Sequence, residues 1–540
     1  MSVLPDELRT QGIYGSYEQF VRDFHPILRR MQERGVLIDL DKRETFRAKV
    51  QDVVDVIEET IQKQIPVELK IIHPKAGIQQ WPEEIKIIRN QVLAEVNSTI
   101  PKKKDHIKKF SQLSATHQYQ IIQRIHEEVS QEYRWKTFPL PNGGEELRPF
   151  KFLSFNPASP KQMMDYIRHK GYAVPKNLEG KETTGRKELE RLAKKTGDIV
   201  LNSTLELRKN KKVVSTYING WSVGSDSSVH TTFTFAPATW QLSSRAPNIQ
   251  NVPKHGELAK EFRKCIVAKP GHVLVEADYK SFHMLTLGFC AGDERYMRLA
   301  RLDGHSYLAS HLLHIPEATS GKLDEMSDEE FLEYVKWFKS DKERKFVRDK
   351  KAKPTILGYG FGLQARKLYD MNVESFKNKA EAQGVITMLD GLFPLTAQYR
   401  DDIKKLAHEQ GFLISPWGAI RRFNSVFVYD ERYGWKSGDD AERAIAFNPA
   451  NCAFGKVREA MIDLAKEELD EKYGMVNTVH DSLVFNCPKV YVEEALHKVR
   501  EIMERPASVL VHAKVAPNGL SCAVEASVGE DWGNLEEVKL

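Results

Sequence analysis

Short apolar runs that end at a charged residue predict the strands of this chain. Two of them, Val275 to Lys280 (VEADYK) and Val479 to Ser482 (VHDS), carry an aspartate at their edge. β-Branched residues favour strands, and a charged residue at the end of a run favours the strand terminus or the turn that follows. Helical patterns occupy about 80–96 and 115–133, and Pro139 to Gly144 is rich in turn-forming residues. The pattern therefore predicts strands and helices together, with two aspartates at strand ends.

Asp278 and Asp481 are the candidate metal ligands. Two strand-borne carboxylates so far apart in sequence converge only if their strands are neighbours in one sheet, and a two-metal phosphoryl-transfer site needs such a pair. Mg²⁺ prefers oxygen ligands and keeps several waters, so two carboxylates and the substrate phosphates complete its shell. One ion would lower the pKa of an attacking hydroxyl, and the other would neutralise a leaving pyrophosphate. For either aspartate alone, a turn or cap role is the commoner interpretation.

Asp278 to Asp293 (DYKSFHMLTLGFCAGD) resembles the first catalytic motif of the family A, or DNA polymerase I-like, polymerases. Val479-His480-Asp481 is similar to the third motif of that family. Gln241 to Ser244, followed by Pro247 to Pro253, resembles the strand that reads primer and template near the growing end. Several independent segments in the order of the family make the resemblance specific.

Further segments extend the resemblance to roughly residues 20–65 and 150–540. Arg30 to Asp39 resembles the entry to the polymerase domain, Phe155 to Gln162 the start of the thumb, and Gly529 to Trp532 the carboxyl end. The family implies an α+β right-hand polymerase fold, in which the palm has an antiparallel sheet and the fingers and thumb are helical. The expected domains are an N-terminal segment and thumb at 1–224 with an insertion at about 66–150, palm at 225–300 and 437–540, and fingers at 301–436.

The resemblance also assigns ligands. It implies two Mg²⁺ ions, with Mn²⁺ as a substitute, held by Asp278, Asp481 and the main-chain carbonyl of Tyr279. Primer and template contacts are expected from polar side chains of the palm and from lysines at the tip of the thumb helices: Gln241, Ser243, Asn248, Gln250, Asn251, Arg443, Asn448, Asn451, His480, Lys209, Lys211 and Lys212.

The segment from Arg348 to Gly362 resembles the fingers helix that holds the incoming triphosphate. Lys353 falls on the lysine of the family, and Leu357 and Phe361 fall on its two aromatic positions. Spacings of four and eight residues place all three on one helical face. Lys353 is therefore expected to bind the phosphates and to assist catalysis. His305 and Ser281 complete the expected nucleotide contacts, with a capping or packing role as the alternative for His305.

One position of this helix departs from the family. The arginine that relatives carry four residues before the lysine is replaced by Asp349. A bulge of one residue would let Arg348 take that role, and otherwise Lys350 would. Pro354 is expected to kink the helix unless it lies in a first turn.

Two paired departures concern the choice of sugar. His283 stands where relatives carry a glutamate beneath the sugar of the incoming nucleotide, and Phe361 stands where a tyrosine hydrogen-bonds to that glutamate. A phenylalanine can neither donate nor accept that bond, so both ends have changed together. Either the imidazole and the phenyl wall exclude a 2′-hydroxyl by bulk, or His283 donates to that hydroxyl and admits ribonucleotides.

The predicted function is extension of primer–template DNA with dNTPs. The alternative is a single-subunit RNA polymerase or a primer-synthesising enzyme with a relaxed sugar gate. Ser482 favours that alternative, because such RNA polymerases carry a serine after the aspartate of the third motif. The Gln241 to Pro253 segment and the Asp278-Tyr279 pair favour the DNA polymerase. A nuclease would not need a triphosphate-holding lysine, and an inactive scaffold would have lost a carboxylate.

Composition adds compartment and partners. The chain has 540 residues and a net charge of +5, which allows several domains and permits nucleic-acid binding. Its five scattered cysteines indicate neither a zinc site nor a disulfide framework. Without a signal peptide or membrane span, the cytoplasm of a bacterium or an infected host cell is expected. Basic clusters that could follow a phosphate backbone, or form solvated helix faces, are Lys102 to Lys104, Lys108 with Lys109, Arg208 to Lys212, and Lys342 to Lys353.

The residues before the predicted polymerase domain are too few to form a proofreading exonuclease like that of many relatives. We therefore expect a chain that extends primers without correcting them, as virus-encoded or repair polymerases do. The sequence does not identify replication partners.

Overall fold

A computed structural model describes residues 9–10, 14–66, 69, 83–101, 106–107, 112–128, 133–139, 145–151, 155–177, 180–235, 240–254, 256–371, 376, 378–432 and 434–539. The chain forms two compact units, one of Met1–Phe46 with Tyr217–Leu540 and the other of Arg47–Thr216. The predicted domain boundaries at residues 224, 300 and 436 stay predictions.

The strands fall into one larger sheet and several two-stranded pairs. In chain order they are β1 (Val36–Leu37), β2 (Tyr133–Pro139), β3 (Glu145–Lys151), β4 (Ser228–Val229), β5 (Thr232–Thr234), β6 (Ser243–Arg245), β7 (His272–Tyr279), β8 (Phe412–Ile414), β9 (Ile420–Arg422), β10 (Phe427–Asp430), β11 (Gly434–Ser437), β12 (Met475–Val479), β13 (Ser482–Pro488), β14 (Val524–Gly529) and β15 (Glu536–Val538).

Helices make up most of the rest of the described chain. They are α1 (Tyr14–Glu18), α2 (His25–Arg34), α3 (Leu40–Gln64), α4 (Glu83–Ser98), α5 (Ala115–Glu128), α6 (Pro160–His169), α7 (Arg186–Thr196), α8 (Ile199–Val213), α9 (Glu257–Arg263), α10 (Phe282–Ala291), α11 (Glu294–Arg301), α12 (Gly304–Leu312), α13 (Pro316–Thr319), α14 (Lys322–Glu325), α15 (Asp328–Ser340), α16 (Lys342–Val347), α17 (Lys353–Gly360), α18 (Ala365–Met371), α19 (Lys379–Leu392), α20 (Pro394–Gln410), α21 (Ala441–Lys466), α22 (Leu469–Lys472) and α23 (Val492–Glu504). Single π turns occupy Gln19–Phe24, Val214–Ile218 and Arg348–Ala352, and a 3₁₀ turn occupies Lys489–Tyr491.

The central sheet has five strands in the order β12-β13-β7-β14-β15, and every neighbouring pair is antiparallel. The inner strands β7 and β13 are mostly buried, which explains their continuous apolar runs. In their register Ser482 lies opposite Asp278. The prediction that the two aspartate-bearing segments end neighbouring strands is confirmed.

Two largely buried helices, α10 and α21, lie next to each other in the core. α10 leaves the end of β7 after Ser281, and seven of its ten residues are buried. α21 is 26 residues long and packs against α10. A β-carbon added to Gly455 of α21 would lie 2.1 Å from Trp417 Nε1, so only glycine allows this close approach. The apolar positions of both helices therefore form the core behind the strand ends.

In the second unit, α4 and α5 pack through a small apolar core that includes Ile88, Val92, Ile121 and Ile125. The first predicted helix of this region corresponds to α4. The second was predicted to reach residue 133 and is wrong at its end, because α5 stops at Glu128 and strand β2 begins at Tyr133. The hairpin of β2 and β3 was not predicted, although aromatic and charged residues alternate from Tyr133 to Lys136 as they do in a strand.

Some sequence-based predictions fall outside the described residues. These are the basic clusters Lys102 to Lys104 and Lys108 with Lys109, and most of the turn from Pro139 to Gly144. Among the described helices, none is long and apolar enough to cross a membrane.

Candidate active site

The two aspartates lie at one edge of the central sheet, where β7 ends and β13 begins. Asp278 is the next-to-last residue of β7, and Asp481 lies in the turn between β12 and β13. The Tyr279 N–H donates to the carbonyl oxygen of Asp481 at 3.4 Å, which joins the two segments through the backbone. The two carboxyls are close enough for the Asp481 charge to raise the pKa of Asp278. Sheet register, rather than flexible side chains, therefore brings the carboxyls together.

The turns beside both carboxyls have unusual backbone conformations. Ser281 has a φ of 49° and His480 a φ of 58°, so both are in the left-handed region. Such conformations cost roughly 1 kcal/mol or more for residues with a β-carbon, and they persist where surrounding structure enforces them. Buried Ser482 helps to close its turn, because its hydroxyl donates to the Val479 carbonyl oxygen at 3.1 Å. The side chain that favoured the RNA polymerase alternative thus has a structural role.

The electrostatics of the pair favour a bound cation. Burial and the nearby Asp481 carboxyl raise the pKa of Asp278, and burial raises the pKa of Asp481 as well. Lys254 opposes this shift, since its Nζ lies 3.2 Å from Asp278 Oδ2. The Oδ1 atom of Asp278 is buried without a hydrogen-bond partner among the described residues. Two crowded carboxyls with an unused oxygen are destabilised until positive charge is added.

Glu276 fixes the strand that carries Asp278. It shares a face of β7 with Asp278, two residues along. Its Oε2 accepts a 2.7 Å hydrogen bond from Trp532 Nε1 and lies 3.5 Å from a guanidinium nitrogen of Arg263. Arg263 also stacks over the Trp532 ring, 4.1 Å from its centroid. Trp532, the tryptophan of the predicted carboxyl-end motif, therefore holds Glu276, which lies two residues before Asp278 in β7.

The residues present fit a divalent cation with an incomplete protein shell. Within the described part of the chain, no group of three or more His, Cys, Asp and Glu side chains could hold a metal. Asp278 and Asp481 form a pair of oxygen donors instead. This arrangement suits Mg²⁺, which takes one or two carboxylates and obtains its other ligands from water and substrate phosphates.

His283 and Phe361 form the wall beside this pair. Their ring centroids are 6.0 Å apart, and the planes meet edge to face at 76°. Burial lowers the pKa of His283, and nearby His480 lowers it further. The imidazole is therefore neutral at pH 7, and its Nδ1 is buried without a partner among the described residues. The structure brings the two predicted sugar-contacting residues together.

The helix that carries Lys353 contains a π turn. Over Arg348–Ala352 the chain makes one wide turn, and the Lys353 N–H donates to the Arg348 carbonyl oxygen five residues back. Pro354 lies in the first turn of α17, directly after this wider turn. The π turn is the one-residue bulge that could bring Arg348 onto the face of Lys353. Lys353 itself is exposed, and it makes no hydrogen bond or ion pair within the described chain.

Arg348 is already engaged. It donates to Asp303 Oδ2 at 2.9 Å and to Ser306 Oγ at 3.1 Å. Asp303 also pairs with Lys339 at 2.7 Å, and its side chain caps α12 by accepting from the Ser306 N–H. Burial would raise the pKa of Asp303, but these cations and hydrogen bonds lower it to about 2. For Arg348 to bind a phosphate, this network must open.

His305 lies next to that network at the start of α12. Burial lowers its pKa to about 4, and the nearby Arg348 and Lys353 contribute to the shift. Its Nε2 is buried without a partner among the described residues. His305 is therefore a neutral side chain near Lys353, with one ring nitrogen left for a ligand.

The predicted primer and template residues divide into accessible and buried groups. Asn251 and His480 are exposed. Gln250 and Asn451 are buried. Gln250 Nε2 donates to the Thr478 carbonyl oxygen at 2.8 Å, and Asn451 Oδ1 accepts from Ser415 Oγ at 2.6 Å. Arg443 is exposed and pairs with Asp440 at 2.8 Å. Because the side chains of Gln250 and Asn451 already make hydrogen bonds inside the protein, their observed role is structural.

The other predicted contacts in this unit show similar variety. Ser243 Oγ lies 3.0 Å from Thr234 Oγ. Asn248 Oδ1 accepts the backbone N–H groups of Gln250 and Asn251. The Oδ1 atom of Asn448 is buried without a partner in the described chain, and Gln241 is partly buried.

The predicted thumb lysines lie in the second unit. Lys209, Lys211 and Lys212 are exposed on α8, and Lys211 pairs with Glu58. The α-helix α8 ends at Val213 with Lys211 and Lys212 in its last turn, and the π turn Val214–Ile218 follows. Contact of these lysines with DNA stays a prediction.

Residues 144–325 and 334–534, more than half of the chain, match the family model described as DNA polymerase family A. This chain belongs to DNA polymerase family A. The match includes β7, β12, β13 and β14 and the helix that carries Lys353. It therefore includes both aspartates and the predicted triphosphate-binding lysine.

Relatives of this family A chain include bacterial DNA polymerases I. It is 26% identical over 366 residues to the thermostable DNA polymerase I of Thermus aquaticus, which covers 66% of this chain and 39% of that relative. It is 25% identical over 434 residues to DNA polymerase I of Chloroflexus aurantiacus, with 78% of this chain and 40% of the relative covered. The chain thus spans about two fifths of the length of these curated relatives.

A solved structure confirms the family A fold. The POL domain of Pol1 from M. smegmatis, in complex with DNA primer-template and dNTP, superposes with a TM-score of 0.65 at 20% identity. The alignment covers 98% of this chain and 73% of that chain. The predicted α+β right-hand polymerase fold is confirmed.

Sequence reasoning missed Lys254, the charged partner of Asp278 in this family A chain. Lys254 directly follows the Pro247 to Pro253 segment, whose motif drew attention to the residues before it. It also missed Arg263 and Glu276, which form an ion pair at 3.5 Å. The alternation of Glu276 and Asp278 in β7 was the available signal, since residues two apart in a strand share a face.

Proposed function

We propose that this chain is a template-directed DNA polymerase that extends a primer 3′ end with dNTPs by two-metal nucleotidyl transfer. The observation that carries the proposal is the pairing of Asp278 and Asp481 through the register of β7 and β13. Membership of DNA polymerase family A supports it. Primer–template DNA and dNTPs are the proposed partners, and the activity of longer relatives beyond this span is not assigned.

Asp278, Asp481 and the Tyr279 carbonyl would hold two Mg²⁺ ions. When bound, the ions lower the pKa of the primer 3′-hydroxyl and neutralise charge on the leaving pyrophosphate. The role of the protein is positioning, because the crowded carboxyls keep fixed places on the sheet. Asp278 and Asp481 orient the reacting groups.

The triphosphate is proposed to lie along the helix of Lys353. The exposed ammonium of Lys353 supplies a positive point charge for the phosphates. Neutral His305 adds a hydrogen-bond donor, and Arg348 adds a charged one after leaving Asp303. Leu357, on α17, and Phe361, the residue that directly follows α17, are proposed to face the base and sugar. Movement of this helix toward the carboxyls would make catalysis depend on a correct base pair.

His283 and Phe361 are proposed to select the sugar by bulk. A neutral, buried imidazole set edge-on to a phenyl ring presents a rigid wall in place of a charged acceptor. A 2′-hydroxyl placed there would lose hydrogen bonds to water, at a cost of about 1 to 3 kcal/mol. That corresponds to roughly five- to 150-fold preference for dNTPs.

One specific observation favours the alternative of ribonucleotide use. The Nδ1 atom of His283 has no partner in the described chain, so it remains available to a 2′-hydroxyl. In that case His283 would bind the hydroxyl and the chain would make RNA or primers. The two proposals therefore differ in whether the contact between His283 and a 2′-hydroxyl is unfavourable or favourable.

Primer extension on a DNA template tests both. We expect Mg²⁺-dependent extension and pyrophosphate release with dNTPs, and little extension with rNTPs. The His283→Glu, Phe361→Tyr double variant, which restores the gate of the family, should keep the dNTP preference. Comparable rNTP use by the wild type that the double variant abolishes would establish the alternative, and absence of all synthesis would reject both.

A further inference from the structure

Lys254 occupies the place where positive charge is needed beside Asp278. Its Nζ lies 3.2 Å from Asp278 Oδ2 and 4.0 Å from Glu276 Oε1. The side chain is nonetheless 60% exposed, so the ammonium can leave without crossing the protein interior. Only the lysine end of this ion pair is exposed, so Lys254 exchanges partners more readily than the cation of a fully buried pair would.

The other side of Lys254 faces an open pocket of about 500 Å³. The pocket is lined by Lys254, Gly256, Glu257, Lys260, Arg263, Trp532 and Gly533. Three of these residues are cationic and one is acidic. Lys260 is exposed and has no ion pair within the described chain, whereas Arg263 is paired with Glu276. The pocket therefore has two cations, Lys254 and Lys260, that can take an anion.

A divalent cation bound by Asp278 would repel the ammonium that Lys254 holds 3.2 Å from Oδ2 of the same carboxyl. Metal binding therefore favours departure of Lys254, whose charge then needs another partner. The pocket beside it is the nearest place for that partner. Because Lys254 directly follows the Gln241 to Pro253 segment, an anion in this pocket would be a phosphodiester of the primer strand.

We propose that Lys254 is a removable counter-ion that pairs with Asp278 in the free protein and moves to a primer phosphodiester when the metal binds. This inference rests on the proposed function. Metal binding releases Lys254 from Asp278 and so frees it for the primer phosphodiester. Binding of the phosphodiester draws Lys254 away from Asp278 and so frees the carboxyl for the metal. Each binding event therefore favours the other. Such coupling must be reciprocal in the two binding equilibria.

Binding of Mn²⁺, followed by electron paramagnetic resonance of the free ion, tests the exchange without any turnover. The full chain is titrated alone and with a primer–template whose primer ends in a 2′,3′-dideoxynucleotide, so that no 3′-hydroxyl contributes a ligand. We expect the duplex to tighten Mn²⁺ binding to the wild type by about fivefold or more. In Lys254→Met, Mn²⁺ binding without DNA should already be tighter by a similar factor, and the duplex should add less than about twofold.

Two control variants separate exchange from a general change in charge. Lys260→Met removes a cation of the same pocket that does not contact Asp278, so it should weaken duplex binding and leave Mn²⁺ affinity without DNA unchanged. Lys269→Met removes an exposed lysine at the opposite end of β7 and should change neither affinity. Equal gains in Mn²⁺ affinity in Lys254→Met and Lys260→Met would overturn the proposal, because the field of the pocket would then explain them.

A duplex effect on Mn²⁺ that is the same in wild type and Lys254→Met would also overturn it. Failure of the proposed function looks different. If Asp278→Asn binds Mn²⁺ as the wild type does, with and without DNA, then the carboxyl pair is not the metal site and the two-metal assignment fails.

Discussion

The carboxyl pair of Asp278 and Asp481 and the cationic helix that carries Arg348 and Lys353 are positioned in different ways. Asp278 and Asp481 are placed by backbone register and by two left-handed turns, burial raises the pKa of both, and the Asp481 charge adds to the shift at Asp278. Lys353 and Arg348 reach their positions through long side chains on a helix with a wide turn. One of these cations is exposed, and the other is bound to Asp303.

The difference separates what is preorganised from what must rearrange. Lys254 offsets only part of the repulsion in the fixed carboxyl pair, and the pKa of Asp278 stays raised to about 7, so that region is ready for the metal before substrate arrives. The cationic helix has no such strain, because Arg348 already has a partner. We therefore expect substitutions in the first region to remove activity, and those in the second to reduce it by degrees.

The largest effect is expected for the carboxyl pair. Asp278→Ala or Asp481→Ala should lower primer extension by roughly 10³-fold or more, because no second carboxylate replaces the lost metal ligand. Duplex binding, measured by fluorescence anisotropy, should stay within about threefold, since neither change disturbs the sheet. Glu525→Gln is the matched control, because this exposed carboxylate lies opposite Asp278 on β14 and should be dispensable. Substantial synthesis by either alanine variant would contradict a two-metal site.

An intermediate effect is expected for the helix. Lys353→Met should lower kcat/KM for dNTPs by about 10²-fold, because one charged contact to the phosphates is lost while the metal site is kept. Single-nucleotide incorporation kinetics measure the change. Lys350→Met tests the other candidate cation and should stay within about threefold. Equal losses in the two variants would mean that Lys350 also binds the triphosphate.

The third test concerns the partner of Arg348. Asp303→Asn keeps a side chain that can cap α12 but leaves Arg348 and Lys339 without their buried partner. We expect a loss of about 1 to 3 kcal/mol in the free energy of unfolding at pH 7. The lowered pKa of Asp303, about 2, means that its charge stabilises the wild type above about pH 4 and that this contribution fades toward pH 2. The two proteins should therefore converge in stability on acidification, and a constant difference would place the effect elsewhere.

Freed Arg348 would have a second consequence in the same variant. If opening of this network is part of nucleotide binding, KM for dNTPs should fall by a few-fold in Asp303→Asn while kcat changes little. A higher KM would mean that Asp303 holds Arg348 in its working position.

The smallest effect is expected at Ser281. Ser281→Gly relieves the left-handed backbone but loosens the turn, so the free energy of unfolding should change by less than about 1 kcal/mol. Catalysis should fall by about threefold because the start of α10 is less fixed. Ser281→Ala keeps the β-carbon and should retain activity. An equal fall in both variants would mean that the serine hydroxyl contacts the nucleotide directly.

The sequence predicted the preorganised region better than the adjustable one. Apolar runs ending in Asp278 and Asp481 have few possible arrangements, since strands that share a buried sheet must pair in register. The position of Arg348 could be stated only as a condition, because counting residues along a helix assumes an α turn throughout. Its partner Asp303 could not be predicted, because an ion pair across 45 residues depends on tertiary packing.

Burial was the other quantity that the pattern did not provide. Gln250 and Asn451 are polar residues in segments that resemble binding motifs, yet both are enclosed. Their amide groups satisfy neighbouring backbone and hydroxyl groups, which only the folded chain reveals. Lys254 is the opposite case, a residue without a motif that the fold places against Asp278.

The π turn at Arg348–Ala352 also bears on how this helix can change over generations. A π turn holds one residue more than an α turn, so an in-frame loss of one codon could convert it to ordinary helix. Loss of Asp349 would leave Arg348 four residues before Lys353, which is the spacing expected for the family. A single deletion could therefore change the length of this helix as well as its sequence.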